Sequence, residues 1–171
     1  MAGNILIAYA SRYGSTAEVA EAIGKVLREA GAEVEVRRVR EVKGLGPYRA
    51  VVIGSAARML KLLPEAVKFA QKHKQALSQM PVAYFTVGLT MIKDTPENRK
   101  VAAGFLEPLR QIQEPVSIGL FAGKVDYSRL SFVWRYFFSR AKDFPGEGDY
   151  RDWEAIRAWA KELKPLMASA N

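Results

Sequence analysis

Five short apolar runs, rich in β-branched residues and separated by helix-like segments, constrain the fold of this chain most. The runs cover residues 5–10, 34–39, 50–55, 82–87 and 116–122. Strands that alternate with helices predict a parallel sheet with helices on both faces, and right-handed crossovers leave few topologies. We therefore predict a doubly wound α/β fold with five parallel strands in the order 2-1-3-4-5, forming a single domain over residues 1–171.

Apolar residues at helical spacing predict four helices, over residues 15–30, 64–79, 96–111 and 153–167. Gly31 is placed to end the first helix, and prolines begin the second and third. In the second helix we expect Val67 to belong to the buried stripe. His73 lies among lysines, on the side expected to face solvent.

The first strand runs directly into a hydroxyl-rich turn that opens the first helix. Backbone N–H groups at a helix N-terminus lack partners in the helix, and the peptide dipoles add about half a positive charge there. Ser11, Ser15 and Thr16 add hydroxyls, and Gly14 lets the backbone approach an anion. The turn lacks the lysine of a P-loop and the G-x-G-x-x-G pattern of dinucleotide sites. By elimination, a mononucleotide such as FMN fits best.

In a sheet of this strand order, ligands lie beyond the carboxyl ends of the strands beside strand one. The loops predicted to line that site cover residues 11–16, 55–60, 86–93 and 123–127. No side chain stands out as a general base, and no set of metal ligands is visible. Cysteine is absent, which excludes disulfides and thiolate chemistry. With no signal segment and no apolar stretch long enough to span a bilayer, we expect a cytoplasmic protein.

The chain is basic, with a formal net charge of +8 from 26 Lys and Arg against 18 Asp and Glu. This charge favours an acidic partner, which includes nucleic acid, an anionic membrane surface and a polycarboxylate substrate; a merely soluble basic surface is the alternative. Four cations lie around the expected edge strand, where charges block unwanted strand pairing. They are Arg37, Arg38, Arg40 and Lys43. Because no aromatic stacking platform accompanies them, nucleic acid is disfavoured.

Residues 127–144 are dense in large apolar side chains interleaved with cations. The segment contains Leu130, Phe132, Val133, Trp134, Tyr136, Phe137 and Phe138 together with Arg129, Arg135, Arg140 and Lys142. It reads either as a helix facing a membrane or an aromatic substrate, or as a helix packed on the sheet with its arginines reaching solvent. Seven large apolar groups exceed one helical face, so some must be exposed or contact a partner.

Four motifs resemble a known family. The run Ala10-Ser11-Arg12-Tyr13-Gly14-Ser15-Thr16 resembles the phosphate loop of flavodoxins, usually Thr/Ser-x-Thr-Gly-x-Thr. Residues 51–58, residues 122–127 and Asp152-Trp153-Glu154 are similar to the flavodoxin-like FMN-binding branch that includes menaquinone-dependent protoporphyrinogen oxidase.

The resemblance implies an FMN-dependent oxidoreductase that removes two electrons from a reduced tetrapyrrole or similar acidic substrate and passes them to a quinone or another acceptor. It implies that the 11–16 loop holds the FMN phosphate and that the loops starting at Ser55 and Thr86 flank the flavin ring. The residues expected to contact FMN are Ser11, Arg12, Tyr13, Gly14, Ser15, Thr16, Ser55, Ala56, Ala57, Arg58, Thr86, Val87, Gly88, Leu89, Thr90, Gly123 and Asp126.

An electron-transfer protein without a substrate of its own is the alternative function. Residues 55–60 contain neither the aromatic nor the glycine that electron carriers typically have there, which favours two-electron chemistry. Arg58 is expected either to favour the reduced, anionic flavin or to be a solvated loop cation. Met91 and Ile92 form either a hydrophobic lid near the ring or a loop packed on the third helix.

Overall fold

The computed structural model describes residues 4–126, 128, 131–140 and 145–168. Its strands are β1 Asn4–Ala10, β2 Val34–Arg38, β3 Tyr48–Arg58, β4 Lys61–Leu62, β5 Val82–Gly88, β6 Ser117–Ala122, β7 Lys124–Val125 and β8 Gly148–Asp149. Its helices are α1 Ser15–Glu29, α2 Pro64–Lys72, α3 Lys74–Leu77, α4 Pro96–Phe105, α5 Glu107–Ile112, α6 Phe132–Arg140 and α7 Trp153–Met167. Short 3-10 turns cover Val39–Glu41 and Leu89–Ile92.

The five long strands are parallel and lie in the order β2-β1-β3-β5-β6. Counted along the chain, these strands have the predicted order 2-1-3-4-5, so the topology is confirmed. The two-residue strand β4 extends the sheet by pairing antiparallel with the end of β3, and β7 pairs antiparallel with β8. The strand order reverses between β1 and β3, where α/β sheets bind ligands.

Strand β1 shows how the sheet divides the core, because successive side chains point to opposite faces. Ile5 and Ile7 pack in the cluster that includes α1 and α7, whereas Leu6 and Ala8 pack in the cluster that includes α2 and α5. All four are at most 1% exposed. A strand buried on both faces reads as the continuous apolar run found in the sequence.

Helix ends follow local chemistry. Gly31 has φ +98°, its N–H donates to the Arg28 carbonyl, and the Ala32 N–H donates to the Leu27 carbonyl. These two bonds form a Schellman motif, so the predicted end of α1 is confirmed within one residue. The prediction of one helix over 96–111 is wrong, because α4 and α5 are separated at Leu106. Pro108 explains the break, since it lacks an N–H and its ring crowds the carbonyl four residues earlier.

The predicted helix 64–79 is also divided, at His73, and the prediction of a solvated His73 is wrong. Its ring centroid lies 4.7 Å from that of Phe69, and the residue is half-buried. Among the described residues, no group forms a hydrogen bond with its buried Nε2. Burial lowers the pKa of His73, and the adjacent Lys72 lowers it further. Val67, predicted to be buried, is only partly so.

Helix α6 exposes its aromatic side chains. Phe132 is 79% exposed and Phe137 is 61% exposed, and Val133, Trp134 and Tyr136 are also exposed. The alternative in which this helix packs on the sheet is therefore wrong. Residues 127, 129, 130 and 141–144, with the side chain of Phe138, lie outside the described residues. In the part of the chain that the structure describes, no helix has the length and apolar character needed to cross a bilayer.

Candidate functional site

The 11–16 loop lies at the carboxyl end of β1, beside the position where strand order reverses. Gly14 adopts φ +94°, and no heavy atom lies within 4 Å of the place where a Cβ would be. Its N–H donates to Ser11 Oγ over 2.9 Å, so the Ser11 hydroxyl accepts one bond and keeps its own hydrogen for another partner. The loop thus leaves space beside the Gly14 backbone, just before the first turn of α1.

Two threonine hydroxyls near the carboxyl ends of β1 and β5 are buried without a hydrogen-bond partner among the described residues. Thr16 is 0% exposed and Thr86 is 2% exposed. Within the described part of the chain, neither Oγ1 atom has a hydrogen-bond partner. A buried unsatisfied hydroxyl costs about 1–3 kcal/mol, so such groups usually indicate a partner that is absent. Thr16 lies in the first turn of α1, where a phosphate would meet it, and Thr86 lies near the end of β5.

Arg151 braces the loop from the far end of the chain. Its side chain is 3% exposed, and one nitrogen donates to the Ser15 carbonyl over 3.2 Å and to Glu18 Oε2 over 3.0 Å. A second nitrogen donates to Asp149 Oδ2 over 2.6 Å, and the guanidinium holds the pKa of the Asp149 carboxyl below its usual range. Sequence reasoning missed Arg151, because 136 positions separate it from Ser15.

Arg38 also contacts the 11–16 loop, whereas the sequence predicts for it only the protection of an edge strand. Strand β2 is indeed an edge strand, and Arg37 pairs with Glu35 on it. Arg38 instead lies over the Tyr9 ring at 5.6 Å and donates to the Ser11 carbonyl over 3.4 Å. The predicted parallel pairing of the first two strands could have indicated this contact, because it places Arg38 opposite Tyr9.

The prediction of a loop over residues 55–60 is wrong, because β3 continues to Arg58 and forms a hairpin with β4. Ser55, Ala56 and Ala57 are strand residues, and the Ser55 hydroxyl is used locally: it accepts from the Leu63 N–H over 3.0 Å and donates to the Ala56 carbonyl. The tip residues Met59 and Leu60 both have positive φ, at 52° and 64°. They are 85% and 70% exposed, so this hairpin carries two large apolar side chains into solvent.

A cation–π contact joins the hairpin to the 11–16 loop. The Arg58 guanidinium lies 5.8 Å from the centroid of the Tyr13 ring, a cation–π distance. Both residues are exposed, as is Arg12. The 11–16 loop, predicted to hold the phosphate, and the hairpin, predicted to flank the flavin ring, are therefore neighbours. Tyr13 supplies an aromatic group that residues 55–60 lack.

The predicted 86–93 loop begins later than expected. Thr86, Val87 and Gly88 belong to β5, and the 3-10 turn that holds Leu89 and Thr90 follows. A Cβ on Gly88 would lie 3.0 Å from that of Ala57, so β3 and β5 approach closely here. Met91 is buried against Ala102 of α4, which supports the packed loop rather than a lid.

Gly123 follows the carboxyl end of β6, and Asp126 follows β7. The Gly123 N–H donates to the Gly88 carbonyl over 3.1 Å, and its own carbonyl accepts from the Tyr150 N–H. Asp126 accepts from the Ser128 N–H over 3.0 Å. Tyr127, the last residue of the predicted 123–127 loop, lies outside the described residues. In the described ranges, no three acidic or histidine side chains group as metal ligands.

The fold defines a class: a doubly wound α/β protein whose first strand-to-helix loop lies where the strand order reverses. Residues 6–144 match the flavodoxin domain family, and the chain belongs to that family. The resemblance found in the motifs is thereby confirmed.

Relatives and solved structures agree with this assignment. The chain is 29% identical over 173 residues to an Escherichia coli K12 protein named protoporphyrinogen IX dehydrogenase [quinone], covering 94% of each chain. Oxidised flavodoxin 1 from Bacillus cereus is 16% identical, with a TM-score of 0.60 and coverage of 94% and 96%. A Fusobacterium nucleatum flavodoxin variant bound to flavin mononucleotide is 14% identical, with a TM-score of 0.52 and coverage of 71% and 70%.

Proposed function

We propose that this protein is an FMN-dependent oxidoreductase that oxidises a reduced tetrapyrrole and passes the electrons to a quinone. The observation that carries the proposal is the match over 94% of both chains to a protein named for that substrate and acceptor. The proposal treats the chain as one domain, because helices cover both faces of the main sheet.

The proposed cofactor fits the residues of the 11–16 loop. Ser11, Ser15 and Thr16 would hold the phosphate with their hydroxyls and with N–H groups of the first turn of α1. Thr16 Oγ1, buried without a partner among the described residues, supports this most directly. Arg12 and Tyr13 would border the phosphate, and Arg151 fixes the first turn through the Ser15 carbonyl.

The flavin ring is proposed to lie between the hairpin and the ends of β5 and β6. The neighbouring residues are Ala56, Ala57, Arg58, Thr86, Val87, Gly88, Leu89, Thr90, Gly123 and Asp126, with Ser55 holding the hairpin. The bound flavin supplies the redox chemistry, so the protein needs to bind, orient and exclude water rather than provide a general base. The net charge of +8 attracts an acidic substrate.

Anaerobic mixing of the FMN-loaded protein with protoporphyrinogen tests the function. We expect the yellow absorbance of oxidised flavin to disappear and to return when a menaquinone analogue is added. NADPH is the comparison reductant. If protoporphyrinogen leaves the flavin oxidised while a reduced protein partner bleaches it, the protein is an electron carrier and the proposed reaction is wrong.

We further propose that the protein acts in the cytoplasm, with α6 contacting an anionic membrane where the quinone resides. Five exposed large apolar residues with Arg135 among them and Arg140 after them suit the bilayer interface. Wild-type protein should sediment with phosphatidylglycerol vesicles more than with phosphatidylcholine vesicles, and Phe132→Ser with Phe137→Ser should weaken sedimentation with phosphatidylglycerol vesicles although the charge is unchanged. Equal sedimentation of the double variant and the wild type would refute this contact.

A further inference from the structure

A groove runs between α2 and the α4–α5 pair, beginning at the tip of the β3–β4 hairpin. Its volume is about 480 Å³, within the range of roughly 300–1,000 Å³ that small-molecule sites occupy. The walls are mainly apolar, formed by Leu60, Leu62, Pro64, Val67, Phe105 and Pro108. The groove therefore offers apolar contact to a molecule larger than a simple anion.

Two lysines give this groove a positive edge. Lys61 and Lys68 line it, and no aspartate or glutamate does. Within the residues that the structure describes, neither ammonium group pairs with a carboxylate. Apolar walls with two ammonium groups beside them complement an apolar molecule that carries carboxylates.

The groove adjoins the candidate flavin site through the hairpin. Leu60 lines the groove, and Arg58, two residues earlier, lies over Tyr13 of the 11–16 loop. The same hairpin thus borders the groove at its tip and the 11–16 loop at its base. A molecule held in the groove and reaching past Met59 would approach the carboxyl end of β3, where ligands bind in this fold.

We propose that this groove binds the carboxylate-bearing edge of the substrate, an apolar tetrapyrrole ring system with two carboxylates. Lys61 and Lys68 pair with the carboxylates and determine specificity, while the apolar walls contact the ring edge. The inference rests on the proposed function, since it names the part of the protein that recognises the tetrapyrrole.

Binding of protoporphyrin IX, the stable oxidised ring, tests the groove without any turnover. FMN-loaded wild-type protein is titrated and porphyrin fluorescence is followed at low salt. Exposed ion pairs predict a loss of about two- to fivefold in affinity for each lysine, so Lys61→Gln with Lys68→Gln should weaken binding about tenfold. High salt should remove most of that difference.

Two controls separate this site from the general basic surface. Lys72→Gln with Lys74→Gln removes the same charge from residues that do not line the groove, and should leave affinity within about twofold of wild type. The dimethyl ester of protoporphyrin IX lacks the carboxylates, so the wild type and the Lys61, Lys68 variant should bind it equally.

The outcomes distinguish this inference from the proposed function. If the Lys61, Lys68 variant binds protoporphyrin as tightly as wild type while protoporphyrinogen still bleaches the flavin, the groove assignment is overturned and the function stands. If both double variants lose affinity equally, the lysines act only through net charge, which also overturns the assignment. If the wild type neither binds protoporphyrin nor has its flavin bleached by protoporphyrinogen, the groove assignment and the proposed function are both overturned.

Discussion

Thr16→Val should stabilise the protein without FMN and weaken its binding of FMN, two effects of opposite sign from one atom. Valine keeps the β-branched shape of threonine and removes Oγ1, which is buried without a partner in the described part of the chain. Relief of an unsatisfied hydroxyl predicts a gain of about 1–3 kcal/mol in the free energy of unfolding of the FMN-free protein.

The loss in affinity follows from the charge of the phosphate. A hydrogen bond to a charged group contributes about 1.5–3 kcal/mol, which corresponds to roughly 10- to 150-fold in the dissociation constant. Flavin fluorescence titration measures that constant, and urea unfolding measures the stability. Riboflavin lacks the phosphate, so its affinity should be unchanged by the substitution.

A matched substitution, Thr86→Val, removes the other buried hydroxyl without a partner among the described residues. It lies in β5 rather than in the loop, so its effect should be the same for riboflavin and FMN. If Thr16→Val weakens riboflavin and FMN equally, or leaves FMN affinity unchanged, the phosphate is not held by this hydroxyl and the reasoning fails.

Three further predictions concern the fold. Gly54→Ala should prevent stable folding, because its Cβ would overlap the Phe85 ring, whereas Gly104→Ala in α4 meets open space and should leave the urea midpoint unchanged or higher. Tyr84→Phe should cost about 1 kcal/mol in urea unfolding, since two carbonyls near the end of α5 lose a buried donor; equal stability would contradict this. Burial lowers the pKa of His73 in the folded protein, so below pH 6.5 the unfolded chain binds the proton more readily. As the pH is lowered through this range, the free energy of unfolding should therefore decrease more in wild type than in His73→Gln.

The sheet was predictable because its signal is local. Each strand buried on both faces leaves a continuous apolar run, and each crossover leaves helical spacing in between. The division of the third helix was also visible in principle, since Pro108 cannot continue an α-helix through its own position. The burial of His73 could not be predicted from the sequence. Phe69 lies one turn earlier, but an aromatic residue at that spacing does not by itself show that the two rings pack together.

The 11–16 loop was found from its glycine and hydroxyls, whereas its supports were not. Arg151 and Arg38 reach it from distant segments, and no local pattern marks such contacts. The hairpin after Ser55 has no sequence signature, because its tip residues Met59 and Leu60 adopt positive φ, a conformation usually marked by Gly or Asn. Sequence patterns locate the 11–16 loop, and contacts from distant segments support it.

The bond from Arg151 to the Ser15 carbonyl has a consequence for biosynthesis. Ribosomes make residue 15 long before residue 151, so the turn that opens α1 leaves the exit tunnel without its guanidinium brace. The brace can close only once residue 151 has been made. A nascent chain interrupted before residue 151 should therefore retain flavin poorly, even with every loop hydroxyl already in place.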